Sequence, residues 1–204
     1  MSDEIYRVVL LGKQATGKTC IIAQFINGSF DPGTISSLTA QFIRKTIQFA
    51  DGRNITLDIW DTAGQEKYRA IAKIYYKEAR AVILVYDITD ESSFIEMKEY
   101  WYEQVKLYAK KDVIFAVAAN KNDLDEERKI SDEEGKKFAN EIGAIFALVS
   151  AKTGDCVTSL FENCIKKYLS PDYVAVVNKQ RIIRKEKNLI EVREPKEKKK
   201  KLFC

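Results

Sequence analysis

Histidine is absent from this sequence of 204 residues. Its absence excludes histidine general bases, Ser-His-Asp triads and metal sites built on imidazole. The four cysteines show no spacing typical of a metal or redox site, which favours a reducing, cytosolic compartment. No apolar run is long enough to span a membrane, and the acidic first residues do not resemble a signal peptide.

The composition instead suits one α/β domain with a sizeable core, because 46% of the residues are hydrophobic. The net charge of +4 is unevenly distributed: residues 179–204 carry eleven Lys/Arg and four Glu, or +7, which leaves −3 for residues 1–178. We therefore expect a mildly acidic domain over residues 1–170 and a flexible basic tail over 171–204. A basic tail would also suit a nucleic-acid binder, but the acidic domain and the lack of interleaved aromatic residues argue against nucleic acid.

Residues 12–19 match the phosphate-binding loop pattern G-x-x-x-x-G-K-[ST] without a gap. In this pattern the glycines let successive backbone N–H groups point inward and surround an anion. Lys18 would reach the β- and γ-phosphates, and the Thr19 hydroxyl would bind Mg²⁺. The stretch follows a predicted buried strand, Ile5–Leu11, and precedes an apolar, helix-compatible segment at residues 20–26. The alternative is a turn that binds no ligand.

Five further segments are predicted strands: residues 40–49, 54–60, 81–87, 113–119 and 144–149. The first two are joined at Asp51-Gly52, a strong hairpin signal. The later ones are nearly continuous apolar runs, which are typical of parallel strands covered on both faces. Because strands alternate with helical segments, we expect an α/β fold with a six-stranded, mostly parallel sheet, one antiparallel strand and helices on both faces.

Helical segments separate these strands. One carries an apolar stripe that we expect to be core: Phe94, Met97, Trp101, Val105 and Tyr108. A capping box beginning at Ser131 opens another helix, and the last helix is stopped at Ser170-Pro171. Between residues 27 and 37, breakers and short polar residues predict a mobile loop.

Three groups of polar residues lie where predicted strands end. Asp61 has the position expected of a water-mediated Mg²⁺ ligand, although a helix N-cap is equally compatible. Residues 120–123, Asn-Lys-Asn-Asp, match N-K-x-D, in which the aspartate can accept two hydrogen bonds from guanine but not from adenine. Residues 150–152 read Ser-Ala-Lys. Each group alone is a weak signal, but together and in this order they indicate guanine binding.

With these motifs the chain resembles small GTPases of the Ras superfamily, and within them the Rab family most closely. The resemblance covers about residues 5–170 and includes residues 60–66, 84–89 and Tyr75-Tyr76. It implies the fold of a phosphate-loop small G domain, slow GTP hydrolysis, GTP/GDP and Mg²⁺ as ligands, and a role as a switch in vesicle trafficking.

The resemblance also implies a role for each matching position. Phe30 would stack on the guanine, the Gly64 N–H would contact the γ-phosphate, and Gln65 would orient the attacking water as the catalytic residue together with Lys18. The metal ligands would be Thr19, Ser37 and Asp61. The nucleotide would be contacted by Gln14, Ala15, Thr16, Gly17, Lys18, Thr19, Cys20, Phe30, Ser37, Gly64, Asn120, Lys121, Asp123, Ser150, Ala151 and Lys152.

The partners implied by the resemblance are GTP-dependent effectors, an exchange factor, an activating protein and a prenyl-binding escort. Effectors would read residues 37–42, Trp60 and residues 63–76, including an aromatic trio of Phe42, Trp60 and Tyr76. Ordinary packing is an equal explanation for this trio. The tail would hold a monomer on the cytosolic face of an anionic endomembrane through a prenyl group on Cys204 and four lysines: Lys198, Lys199, Lys200 and Lys201.

Three positions depart from the Rab pattern. Ser37 opens S-L-T-A-Q-F where most Rab proteins have T-I-G-x-x-F, Gln14 replaces a small residue beside the expected γ-phosphate, and one cysteine stands at the end instead of two. Gln14 leaves open a second function, an adaptor that binds guanine nucleotide with impaired hydrolysis. An ATPase that uses the same loop is a further alternative, which the motifs at residues 120–123 and 150–152 disfavour.

Overall fold

The computed structural model describes residues 5–33, 41–49, 52–62, 69–172, 174 and 175. The chain divides into two units, Met1–Tyr168 and Leu169–Cys204. Of the second unit, the described residues are 169–172, 174 and 175. The predicted hairpin residue Asp51, residues 34–37 of the predicted mobile loop, and residues 173 and 176–204 of the basic tail lie outside the described residues.

Six strands form one sheet in the order β2-β3-β1-β4-β5-β6. Their bounds are β1 Ile5–Leu11, β2 Gln41–Gln48, β3 Asn54–Asp61, β4 Ala81–Asp87, β5 Ile114–Asn120 and β6 Ile145–Leu148. β2 pairs with β3 in the antiparallel sense, and the other strand pairs are parallel. The predicted fold class is confirmed.

Helical segments connect the strands. They are α1 Lys18–Asn27, α2 Arg69–Tyr76, α3 Glu91–Glu96, a π-helical stretch Met97–Tyr102, α4 Glu103–Tyr108, a 3₁₀ turn Asp125–Glu127, α5 Asp132–Glu141 and α6 Val157–Leu169. The Ser131 hydroxyl accepts a hydrogen bond from the Glu134 N–H at 3.2 Å, so Ser131 caps the start of α5 where the sequence predicted it. In the described part of the chain, the helices are too short or too polar to cross a membrane.

The core lies on both faces of the sheet, because side chains alternate along β1. Val9 and Leu11 join one buried cluster with Trp101 and Phe138. Val8 and Leu10 are also buried but point to the opposite face. On that side, Phe25 of α1 stacks on Phe161 of α6 with a distance of 3.9 Å between ring centroids.

The predicted apolar stripe is core for four of its five residues: Phe94, Met97, Trp101 and Val105 are buried. The prediction is wrong for Tyr108, which is 38% exposed. The π-helical stretch between α3 and α4 has a wider turn than an α-helix, so it rotates the last turn relative to the first. Tyr108 is the last residue of α4, and its ring lies near the surface, where the Lys73 ammonium is 3.2 Å from the ring centroid.

Candidate nucleotide-binding site

The predicted phosphate loop and the two predicted guanine motifs meet at one edge of the sheet. In a parallel sheet the carboxyl ends of neighbouring strands lie side by side, and ligands bind in the crevice outside them. Leu10 of β1 lies opposite Asp61 of β3, and Asp87 of β4 lies opposite Asn120 of β5. The loops that follow these strands therefore share one edge.

The loop at residues 12–17 needs glycine at two positions because other chain segments approach it closely. A Cβ on Gly12 would lie 2.2 Å from the Val85 carbonyl oxygen, and one on Gly17 would lie 2.3 Å from Asn120 Nδ2. Gly17 and Ala15 also have positive φ, 89° and 65°. This backbone is the conformation that an anion-binding loop requires.

Lys18 is a buried cation in this loop, with 5% of its surface exposed. Its Nζ donates to the carbonyl oxygens of Gly12 and Lys13, both at 2.8 Å. Burial lowers the pKa of Lys18 to about 8, although the charges of Asp61 and Glu96 act in the opposite direction. An anion bound in the loop would favour the charged form of Lys18, so the loop fits a phosphate group.

Thr19 and Asp61 form a pair of oxygen ligands beside the loop. The Thr19 hydroxyl donates to Asp61 Oδ2 at 2.6 Å, and Asp61 is buried. A hydroxyl and a carboxylate are ligands that Mg²⁺ accepts, and Mg²⁺ usually takes its remaining ligands from phosphates and water. Within the described residues, no three His, Cys, Asp or Glu side chains are grouped to hold a metal ion without such help. The pair therefore fits Mg²⁺ held together with a phosphate.

Asn120 connects the phosphate loop to the segment at residues 150–152. Its Nδ2 donates to the Thr16 carbonyl oxygen at 2.8 Å, and its Oδ1 accepts from the Ala151 N–H at 3.1 Å. Asn120 is 1% exposed, so both bonds are shielded from water. One buried side chain thus fixes the distance between two loops that come from opposite ends of the sequence.

Asp123 and the lysines of both motifs are also held by their neighbours. Asp123 Oδ1 accepts from the Ser150 hydroxyl at 2.6 Å, and Oδ2 lies 3.7 Å from Lys152 Nζ. Lys121 has a positive φ of 67° and pairs with Asp87 at 2.6 Å. The structure thus brings together the two predicted guanine motifs.

The other predicted residues are less enclosed or are not described. Gln14 and Ala15 are exposed, Cys20 is half-buried, and Phe30 is 36% exposed. Ser37, Gly64 and Gln65 lie outside the described residues.

Sequence reasoning missed Gln24 of α1, which contacts the backbone at residue 151. No motif marks this residue, and only the packing of residues 150–154 against α1 reveals it.

The aromatic trio differs from the prediction by one residue. Trp60 stacks on Tyr75 with 4.7 Å between ring centroids and contacts Phe42 at 5.1 Å. Tyr76 is instead 2% exposed and belongs to the core, so its assignment to the trio is wrong. Adjacent helical positions point in different directions, and Tyr76 shares the inward face of α2 with Ala72, four residues earlier.

The fold and the site together define the class: an α/β domain in which a phosphate-loop motif and two guanine-type motifs lie at one edge of the sheet. The Ras family model matches residues 7–170. Mouse "Ras-related protein Rab-37" is 41% identical over 148 residues, which are 72% of this chain and 66% of that protein. Human "Ras-related protein Rab-30" is 39% identical over 159 residues, or 78% of this chain and 77% of that one. "Ras-related protein RABD2a" of Arabidopsis thaliana is 40% identical over 159 residues, with coverage of 78% and 77%.

The alignment thus spans slightly less than two thirds of Rab-37 and more than two thirds of Rab-30 and RABD2a. The chain belongs to the Ras family, in its Rab branch of small GTPases. Small GTPases bind guanine nucleotides and hydrolyse GTP.

Proposed function

We propose that this protein is a regulator of vesicle trafficking that alternates between GTP-bound and GDP-bound states and hydrolyses GTP slowly unless assisted. The observation that carries the proposal is the position of Asn120. It joins the loop holding the buried Lys18 to the Ser150–Asp123 pair, so the elements for phosphate and for guanine lie within one site.

At the phosphate end, Lys18 and the backbone N–H groups of the loop would hold the β- and γ-phosphates. Thr19 and Asp61, with Ser37, would hold Mg²⁺, which neutralises phosphate charge when it is bound. Gln65 would orient the attacking water, and the Gly64 N–H would contact the γ-phosphate. Phosphoryl transfer requires mainly positioning and charge stabilisation from the protein, which is why unassisted turnover should be slow.

At the base end, Asp123 is the candidate acceptor for the two guanine donors, and its side chain is only 14% exposed. The Ala151 N–H is the candidate donor to the guanine O6. Lys121 and Lys152 would contact the nucleotide beside Asp123, and Phe30 would stack on the guanine. Adenine presents a different donor and acceptor pattern, so these residues favour a GTPase over an ATPase.

For partners, we propose that effectors read residues 37–42, Trp60 and residues 63–76. The support is an exposed aromatic surface: Phe42 is 45% exposed and contacts Trp60, which stacks on Tyr75. An exchange factor, an activating protein and a prenyl-binding escort complete the cycle.

For location, we propose that residues 1–170 form the GTPase domain and residues 171–204 a basic tail. Cys204, with one prenyl group, and the lysines at 198–201 would hold the protein on the cytosolic face of an anionic endomembrane. Either signal alone gives marginal binding, so both would be needed.

The nucleotide that accompanies the purified protein tests the proposal. Protein purified in Mg²⁺ buffer is denatured, and the released nucleotide is separated by anion-exchange chromatography. We expect near-stoichiometric GDP or GTP. Adenine nucleotide, or an empty protein that GDP does not stabilise in thermal unfolding, would overturn the proposed function.

A further inference from the structure

Gln24 lies on α1, one and a half to two turns after Lys18, and its side chain is half-buried. With the carboxamide oriented to satisfy its neighbours, Nε2 donates to two backbone carbonyl oxygens, those of Ala151 and Ser29, each at 3.2 Å. These two carbonyls belong to separate segments of the chain. A single side chain therefore links residues 150–152 to the segment at residue 29.

Gly154 shows how closely the first of these segments packs on Gln24. A Cβ at Gly154 would lie 2.7 Å from the Gln24 carboxamide, and Gly154 has a positive φ of 89°. The Gly154 N–H also donates to the Ser150 carbonyl oxygen at 2.8 Å, which closes the loop into a tight turn. The backbone at residues 150–154 thus rests directly against α1 at this position.

The two carbonyl groups that Gln24 contacts belong to segments with further roles in the candidate site. Ala151 has both backbone polar groups fixed by side chains from other elements, the N–H by Asn120 and the carbonyl oxygen by Gln24. Ser29 immediately precedes Phe30, the candidate stacking residue. Two of the segments that would contact the guanine base are therefore tied to the same side chain.

We propose that Gln24 is a positioning residue for the guanine base and that its two hydrogen bonds slow nucleotide release. This inference rests on the proposed function, since it assumes that the site holds a guanine nucleotide. None of the hydrogen bonds described above joins Gln24 to Lys18 of the phosphate loop or to the Thr19–Asp61 pair. Its effect should consequently fall on nucleotide release and leave the hydrolytic step unchanged.

Three substitutions separate the hydrogen-bonding role from simple packing. Gln24→Leu keeps the approximate volume and removes the donor. Gln24→Glu replaces the donor with a carboxylate that faces two carbonyl oxygens, so it should be the most damaging. Gln24→Arg restores N–H donors and should rescue. The matched control is Gln48→Glu, on the exposed outer strand β2.

The measurement is the release rate of GDP carrying a fluorescent group on its ribose, chased with excess GDP in Mg²⁺ buffer. For two neutral hydrogen bonds we expect release to be about 10-fold faster in Gln24→Leu and faster still in Gln24→Glu. Gln24→Arg should lie within about 3-fold of wild type, as should the Gln48→Glu control. Single-turnover GTP hydrolysis should be equal in all loaded variants.

Equal release rates in wild type, Gln24→Leu and Gln24→Glu would overturn the inference. It would also be overturned if Gln24→Arg released GDP as fast as Gln24→Leu, because packing and not hydrogen bonding would then be responsible. A wild-type protein that does not retain GDP would overturn the proposed function, and this inference with it.

Discussion

The two ends of the nucleotide site are built differently. At the base end, the polar side chains are held by several neighbouring groups: Asn120 bonds to two backbone groups, and Asp123 accepts from the Ser150 hydroxyl and lies near Lys152. At the phosphate end, the buried ammonium of Lys18 has backbone carbonyls as its hydrogen-bond acceptors, and burial depresses its pKa.

This difference indicates separate roles for the two ends. The base end is preorganised, because hydrogen bonds to neighbouring groups fix Asn120 and Asp123. The phosphate end contains a charge whose desolvation destabilises the ligand-free fold, and a bound phosphate would offset that desolvation. We therefore expect substitutions at the phosphate end to lower affinity most, and substitutions at the base end to change which base is bound.

The largest expected effect comes from Lys18→Met. Removing one partner of a buried ion pair typically costs about 3–5 kcal/mol, so GDP affinity should fall by roughly 10²–10³-fold or more. Isothermal titration with GDP measures it. The control is Lys13→Met in the same loop, because Lys13 is 36% exposed and pairs with Asp90 at 3.0 Å. An affinity that is equally reduced in both variants would contradict a special role for the buried charge.

The next effect is on base selectivity. Asp123→Asn turns an acceptor partly into a donor, so GTP binding should weaken by roughly 2–4 kcal/mol and preference should shift toward xanthine nucleotides. Equilibrium titration with GTP and with xanthosine triphosphate tests this shift. Asp125→Asn is the matched control, because the Asp125 side chain is 78% exposed. Unchanged GTP affinity in Asp123→Asn would remove the guanine assignment and revive the ATPase alternative.

Local patterns in the sequence predicted the parts of the fold and site that depend on neighbouring residues. The bounds of β1 and β4 were predicted correctly because each strand is a nearly continuous apolar run. The phosphate loop and both guanine motifs were found because each is a short signature at the end of a strand.

Features that depend on helix phase or on packing between distant segments could not be predicted in the same way. Tyr75 and Tyr76 are chemically identical neighbours, and only the rotation of α2 decides which one meets Trp60. Tyr108 continues the apolar spacing of the stripe, and only the structure shows that this last residue of α4 reaches the surface. Gln24 lies among apolar helix residues, and its role depends on a loop more than 120 positions later.

A smaller effect is expected at Gln14, whose exposed side chain lies in the phosphate loop. An activating protein stabilises transition-state charge with a contribution of about 10³–10⁵ in rate, and displacing its inserted group by about 1 Å loses on the order of 10². We therefore expect Gln14→Ser to raise activator-stimulated hydrolysis by roughly 10- to 100-fold and to change unassisted hydrolysis only several-fold.

Single-turnover phosphate release, with and without a Rab-type activating domain, measures both rates for wild type and Gln14→Ser. Gln65→Leu is included as a variant expected to lose both rates. If wild type is stimulated as strongly as Gln14→Ser, the glutamine does not obstruct the activator, and the adaptor alternative loses its main support.

The central claim is that ligand-free protein contains a destabilising buried charge at Lys18, and the pH dependence of stability tests it most directly. Burial lowers the pKa of Lys18 in the folded protein to about 8, from the ordinary lysine value of 10.5. Between pH 8 and 10.5 the Lys18 side chain binds more protons in the unfolded chain than in the folded protein, so the free energy of unfolding should rise with pH in that window. Below pH 8 the destabilisation by the buried charge should be fully present.

The decisive measurement is the free energy of unfolding by urea for nucleotide-free wild type and Lys18→Met from pH 7 to 10.5. Titratable groups that are present in both proteins contribute equally to the two free energies of unfolding, so their contributions cancel when one is subtracted from the other. We predict that wild type gains stability relative to Lys18→Met as pH rises, by at most about 1.4 kcal/mol per pH unit, and that saturating GDP abolishes the gain. Parallel curves for the two nucleotide-free proteins would contradict the claim.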